Sequence, residues 1–142
     1  TNLQSKGNIM GRNMKDATLI KTFALNNGAG STQSSGIDLK ADAYKPECIE
    51  VNLSVPALNA TMVPDTRTAR YIIETSTASN FASIDQTLYD ETFTGASSAG
   101  VAAKSKLVRL PSNCAQYIRA KVTMGSTTGD ASGVSATFQL LF

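Results

Sequence analysis

Histidine and tryptophan are absent from this chain of 142 residues. Without histidine the commonest general base and metal ligand is missing, and no Ser-His-Asp or Cys-His constellation can be assembled. Aromatic residues make up only 6% of the chain, so the exposed ring platforms that a sugar-binding face favours are scarce. Cysteine is limited to Cys48 and Cys114, in different strand regions and without CxxC spacing. That excludes a redox motif and leaves two buried free thiols as the expectation. Charge is sparse as well, at 17% with a formal net of +2. No dense run of Lys and Arg exists to form the basic stripe used on nucleic acid. No apolar run approaches the roughly 18 to 20 residues of a membrane span. Thr1 to Asp16 also lacks the apolar segment of a secretory signal. The expectation is a soluble protein, made in the cytoplasm, that binds neither nucleic acid nor membrane.

Ser, Thr, Asn and Gly take the place of the missing charge, a balance that suits a β-rich surface better than a helical bundle. The length supports one domain with a real core. Residues 1–17 show neither a strand nor a helix period and carry Lys6, Arg12 and Lys15 against Asp16. They read as a basic N-terminal arm, with the single ordered domain over 18–142.

Within that domain, segments alternating apolar and polar side chains mark strands with one core-facing edge. They begin near Thr18 with TLIKTFAL, followed by the turn-rich loop Asn26 to Gly36 and a short strand at Ile37 and Leu39. CIEVNLSV, Cys48 to Val55, is the clearest strand of the first half. Pro56 to Thr68, with two prolines and no period, reads as a long surface loop of the kind that often binds partners. Strands are expected at Ala69 to Thr75, Thr87 to Thr94 and Lys104 to Leu110. The last quarter supplies two more around Ile118 to Met124 and Val134 to Phe142, joined by the loop GSTTGDASG, which reads as a hairpin. Eight short strands and no convincing helix predict an all-β antiparallel sandwich or barrel.

Candidate chemistry is thin. Asp85, Asp90, Glu91 and Asp130 fit neither an EF-hand nor a recognisable glycosidase pair and read as solvated turn carboxylates. Gly125 to Gly133 lacks the GxxxxGK[ST] order of a phosphate cradle. Asn52-Leu-Ser54 and Asn59-Ala-Thr61 match the glycan-acceptor pattern, a short motif that chance produces often in Ser/Thr-rich chains. Arg67, Arg70, Lys104, Lys106, Arg109, Arg119 and Lys121 are scattered along strands, where outward charge discourages edge pairing. No enzyme activity, cofactor or metal is expected.

Taken together, ATLIKTFAL, GAGSTQSSGIDL, CIEVNLSV, LPSNCAQYIRAKV and the closing TFQLLF resemble the jelly-roll capsid cement proteins of tailed phages, of the kind found in a Bordetella podovirus. The resemblance covers roughly Ala17 to Phe142, and its most specific piece is Leu110 to Val122. It implies a jelly-roll β-sandwich, with an extended N-terminal arm, on the outer surface of an icosahedral phage head. Its partners would be the major capsid protein, whose neighbouring subunits it clamps, and itself, as a dimer or trimer. Exposed ion pairs contribute only about 0 to 1 kcal/mol each, so arm contacts are expected from apolar Leu3, Ile9, Met10 and Met14 as well as Lys6, Arg12 and Lys15. Val63 and Arg67, in the Pro56 to Thr68 loop, complete the expected contact set. The other reading is a carbohydrate- or host-surface-binding jelly roll of a phage tail or fibre.

Overall fold

The computed structural model describes residues 15–39 and 49–141, with the side chains of 15–18 left aside. Nine strands fill the described chain: β1 Lys15–Ala24, β2 Gly30–Gln33, β3 Ile37–Asp38, β4 Glu50–Val55, β5 Thr68–Ser76, β6 Gln86–Thr94, β7 Lys104–Arg109, β8 Tyr117–Met124 and β9 Ser135–Leu141. Alternation explains the clearest of them. β4 buries Val51, Leu53 and Val55 between half-buried Glu50, Asn52 and Ser54, and β8 and β9 repeat the pattern.

The strands form two antiparallel sheets, ordered β1-β9-β4-β7 and β2-β8-β5-β6, with the two-residue β3 also against β8. The chain crosses between the sheets at nearly every connection, which makes the sandwich a jelly roll. β2 and β3 pair successive stretches of β8, Gly30 with Met124 and Ile37 with Ile118, so they occupy one strand position broken at Ser34 to Gly36. The eight expected strands therefore become nine. β2 lies in the stretch read as a loop because its residues, Gly-Ser-Thr-Gln, carry no apolar alternation; its pairing comes from the neighbouring β8.

A second difference concerns β8 and β9. They do not form a hairpin: β8 sits between β2 and β5 in one sheet, β9 between β1 and β4 in the other. Each is central in its sheet, so their apolar rows meet across the sandwich. Ile118, Ala120 and Val122 face Ala136, Phe138 and Leu140 in a core completed by Tyr71, Ile73 and Leu53. β1 also begins earlier than expected, at Lys15, which pairs with Leu141 before a register shift that ends at Ile20.

The outer face of the β2-β8-β5-β6 sheet is not the wettable surface that alternation implies. Ile72 and Glu74, on the outward side of β5, are only 5% and 3% exposed. Phe81, from the β5–β6 connection and at a φ of 53°, folds back over the same face and is itself buried, with the Arg119 guanidinium 4.4 Å from its ring centroid. Gly36 faces the same ring with no room for a side chain, since a Cβ there would lie 2.8 Å from a ring carbon. Beneath the ring, Arg119 Nε donates to Glu74 Oε2 at 2.7 Å, and Lys121 Nζ lies 3.6 Å from Oε1. Removing one partner of a buried ion pair strands the other charge. Glu74→Ala is expected to lower unfolding free energy by about 2 to 4 kcal/mol, below the fully buried case because Arg119 and Lys121 keep some solvent. Urea denaturation checks it, and a loss within 0.5 kcal/mol (about the scatter of a surface change) would refute it.

Cys114 is a half-buried free thiol, pushed up to about 11 by burial and the nearby Asp85 carboxylate. Cys48 lies outside the described residues.

Candidate functional site

Four connections gather at one end of the sandwich: residues 26–29, 56–67, 95–103 and 125–134. The second of them is wound about Asn59. Its Oδ1 accepts from Thr61 N at 3.0 Å, Met62 N at 3.1 Å and Thr61 Oγ1 at 2.6 Å, while its carbonyl accepts from Met62 N and Val63 N. An Asn side chain imitates a backbone turn in this way. The glycan-acceptor spacing Asn59-Ala-Thr61 is thus also a structural turn. On either side of it, Leu58 and Val63 are fully buried and anchor the loop in the core.

The neighbouring connections are fastened to it by backbone bonds. Leu58 and Val101 exchange two, at 2.8 and 2.7 Å; Thr66 N donates to Gly95 O and Gly95 N to Arg67 O. Gly100, at a φ of 67°, closes the turn from Ala96 against the backbone of Leu58 and Asn59. Gly28 N donates to Gly129 O, Ala131 N to Asn26 O and Gly125 N to Thr68 O. Ser126 Oγ turns the last loop by accepting from Thr128 N and Gly129 N. Asp130 Oδ1 accepts from Ser132 N and Oγ, which holds its carboxyl below the usual carboxylate range.

Two non-glycine residues at this end hold positive φ, Thr66 at 67° and Ser98 at 84°. A β-branched residue in that region is strained, and such strain persists only where the surroundings over-determine it. Asp65, Arg67 and Asp130 are the only charged side chains in the four connections; the rest of the exposed surface is chiefly Ala, Ser, Thr, Asn and Gly. Small uncharged side chains lose little entropy and little hydration on contact. A prefastened backbone has little left to order. Chemically this end is a fastened, almost uncharged platform.

The expected contact residues fall out unevenly. Leu3, Lys6, Ile9, Met10, Arg12 and Met14 lie outside the described residues. Lys15 opens β1 opposite Leu141. Val63 is 0% exposed and belongs to the core, so its side chain does not face a partner. Arg67 is exposed on the platform. Pro56 to Thr68 is accordingly a fastened loop with a core-facing side, held by Asn59, Gly95 and Gly100, whose structural part no local period marks. The Asn-x-Thr turn motif was the one available signal.

Elsewhere the carboxylates are dispersed. Asp90, on the outer face, accepts from Arg70 Nε at 2.7 Å and is held below its usual range by that bond. Glu91, one residue on, points between the sheets, where it accepts from the Tyr89 hydroxyl at 2.6 Å. Among the described residues no three His, Cys, Asp or Glu side chains cluster as metal ligands. No described aromatic ring is exposed. Tyr71 is fully buried, its hydroxyl has no hydrogen-bond partner among the described residues, and burial pushes it up to about 12. An orphan hydroxyl costs about 1 to 3 kcal/mol. Tyr71→Phe is therefore expected to leave stability unchanged or raise it by about 1 kcal/mol; a loss in thermal denaturation would show that the hydroxyl is bonded after all.

No protein-family model and no curated protein sequence matches the chain. Among solved structures it is similar to the PBSX exported protein XepA, at 19% identity and a TM-score of 0.50 over 84% of this chain. The chain spans about a third of that protein, 34% of its length. It is also similar to PirA, at 7% identity and a TM-score of 0.47, covering 88% of this chain and 95% of that one. A third is the CBM22-1 xylan-binding domain of Paenibacillus barcinonensis Xyn10C, at 13% identity and a TM-score of 0.40, covering 90% and 95%. At these identities the likeness is one of fold.

Proposed function

We propose that this chain is a structural virion protein, a capsid cement that binds the outside of an icosahedral phage head and clamps neighbouring major capsid subunits. It does so as a small homo-oligomer and carries out no reaction. The observation that carries the reading is the platform of four connections, fastened loop to loop and almost free of charge. Resemblance to the jelly-roll cement proteins supports the choice of partner. Stable contacts bury on the order of 800 Å² per partner, and the arm is assigned a share of that interface.

Re-addition to heads stripped of the protein tests this by co-sedimentation. Because β1 starts at Lys15, the arm deletion should stop at Met14. Removing residues 1–14 is expected to weaken attachment roughly tenfold or more, about 1.4 kcal/mol, while the unfolding midpoint stays in place. Full occupancy after that deletion would remove the arm from the reading. Failure of the intact chain to bind heads would remove the reading itself. Saturable hits on a glycan array would favour the carbohydrate- or host-surface-binding alternative, for which no exposed ring among the described residues speaks.

A further inference from the structure

β6 and β7 are the edge strands on one side of the sandwich. Among the described residues β6 is bonded only to β5 and β7 only to β4, so both outer edges keep unpaired backbone groups. Their inward side chains meet across the gap between the sheets. Lys104 Nζ lies 4.0 Å from Glu91 and 5.6 Å from the Phe93 ring centroid, and Lys106 Nζ lies 5.4 Å from that of Tyr89. The two strands are opposite in charge: β6 carries Asp90 and Glu91 and no cation, β7 carries Lys104, Lys106 and Arg109 and no anion. Outward on β7 stands Leu107, 51% exposed.

We propose that a second copy of this chain docks on this side, β7 of each copy pairing with β6 of the other about a two-fold axis parallel to the strands. Such an axis exchanges the two sheets while leaving every residue at its own height along the strands. The contacts within one copy therefore set the register between copies. Since Lys104 is level with Glu91 and Lys106 with Tyr89, the two strands run antiparallel, and Lys104 meets Glu91 of the second copy while Lys106 meets its Tyr89. On the outward side Ser105 falls opposite Asp90 of the second copy, and Leu107 comes level with the register shift in its β6. The inner faces of the joined sheets point the same way, so the two gaps merge into one.

Charge makes the pairing selective. Inward lysines blunt an edge against a neutral or basic strand, but an acidic strand supplies their counter-charges, and β6 is such a strand. In that register β7 lies opposite Gln86 to Glu91, so Lys104 to Lys106 meet the regular part of β6 and Leu107 to Arg109 meet the part beyond the register shift of the β5–β6 ladder at Ile73 and Glu74. Six residues at about 3.3 Å each give a contact about 20 Å long. The area is then on the order of 500 Å² per copy, below the usual 800, so micromolar association is expected. This names the self-association surface within the reading above, and its test needs no capsid, so either can fail alone.

Analytical ultracentrifugation from about 1 to 100 µM is expected to show a monomer–dimer equilibrium. Glu91→Lys and Lys104→Glu should each raise the dissociation constant at least tenfold, and the double variant K104E/E91K should regain most of it. Within one copy Ser105 and Asp90 face out of opposite sheets about 10 Å apart; in the dimer their Cα atoms come to about 5 Å, within disulfide reach. Mixing S105C with D90C under oxidation should give a cross-linked dimer that neither variant nor the unaltered chain gives alone. This readout also serves if a charge reversal unfolds the chain. A monomer at the highest concentration, a trimer, wild-type affinity in both single reversals, or no cross-link in the mixture would overturn the proposal.

Discussion

Phe138→Ala is expected to remove about 3 to 5 kcal/mol of unfolding free energy. The ring is fully buried on β9, and its backbone lies opposite Leu53 of β4 on one side and Lys21 of β1 on the other. A side chain with strands on both flanks and a second sheet above it has few ways to let the cavity collapse, which places it towards the costly end of such truncations. Set against a typical total of about 5 to 15 kcal/mol, the loss takes a large share of the fold's stability. With m values of about 1 to 3 kcal/mol/M, the urea midpoint should fall by about 2 M with little change in slope. Phe138→Leu keeps most of the volume and should cost about 1.5 kcal/mol or less. Equal losses in the two variants would mean that the ring does not pack as the sandwich requires.

Gly100→Ala should be the most damaging small change on the platform. At a φ of 67° an alanine is disfavoured by about 1 to 2 kcal/mol. Its Cβ would also press on the backbone of Leu58 and Asn59, which unlike a flexible side chain cannot swing away. Relief requires parting the loops and loosening the paired bonds of Leu58 with Val101, each about 1 kcal/mol. The expected cost is about 2 to 4 kcal/mol in denaturation, with loss of hydrogen-exchange protection at Leu58 and Val101 before the core strands lose theirs. Under the proposed function, attachment to heads should fall with it. Stability and protection like those of the unaltered chain would show that the loops are not held together there.

How much was legible in the sequence depends on how local the signal is. β4, β8 and β9 announce themselves because each buries every second residue, and the period of the backbone alone produces that pattern. β2 was silent. Its Ser31 and Gln33 face out and its ladder depends on bonds to Thr123 and Lys121 of β8, ninety residues away in sequence. Alternation assigns Glu74 to the outer face of β5, and its burial there depends on Arg119 and Lys121 of β8, which the local sequence does not foretell. The platform was half legible: Pro56 to Thr68 stood out as an unusual loop, but Leu58 and Val63 inside it are too isolated to show a period, and their burial decides which side faces outward. Val63 faces the core for that reason.

By itself, then, the sequence determined an all-β chain, the strands whose one face is apolar, and which residues of β8 and β9 face inward. Tertiary structure alone decided that β8 and β9 belong to different sheets, that four distant connections share one end, and that an acidic and a basic strand border the same gap. The physical reason is the reach of each interaction. Side-chain alternation is set by covalent geometry from one residue to the next, whereas backbone donors and acceptors are alike on every strand and carry no record of their partner. Partner choice emerges only when the whole set of apolar faces is buried at once, and the loops and edges follow from that choice.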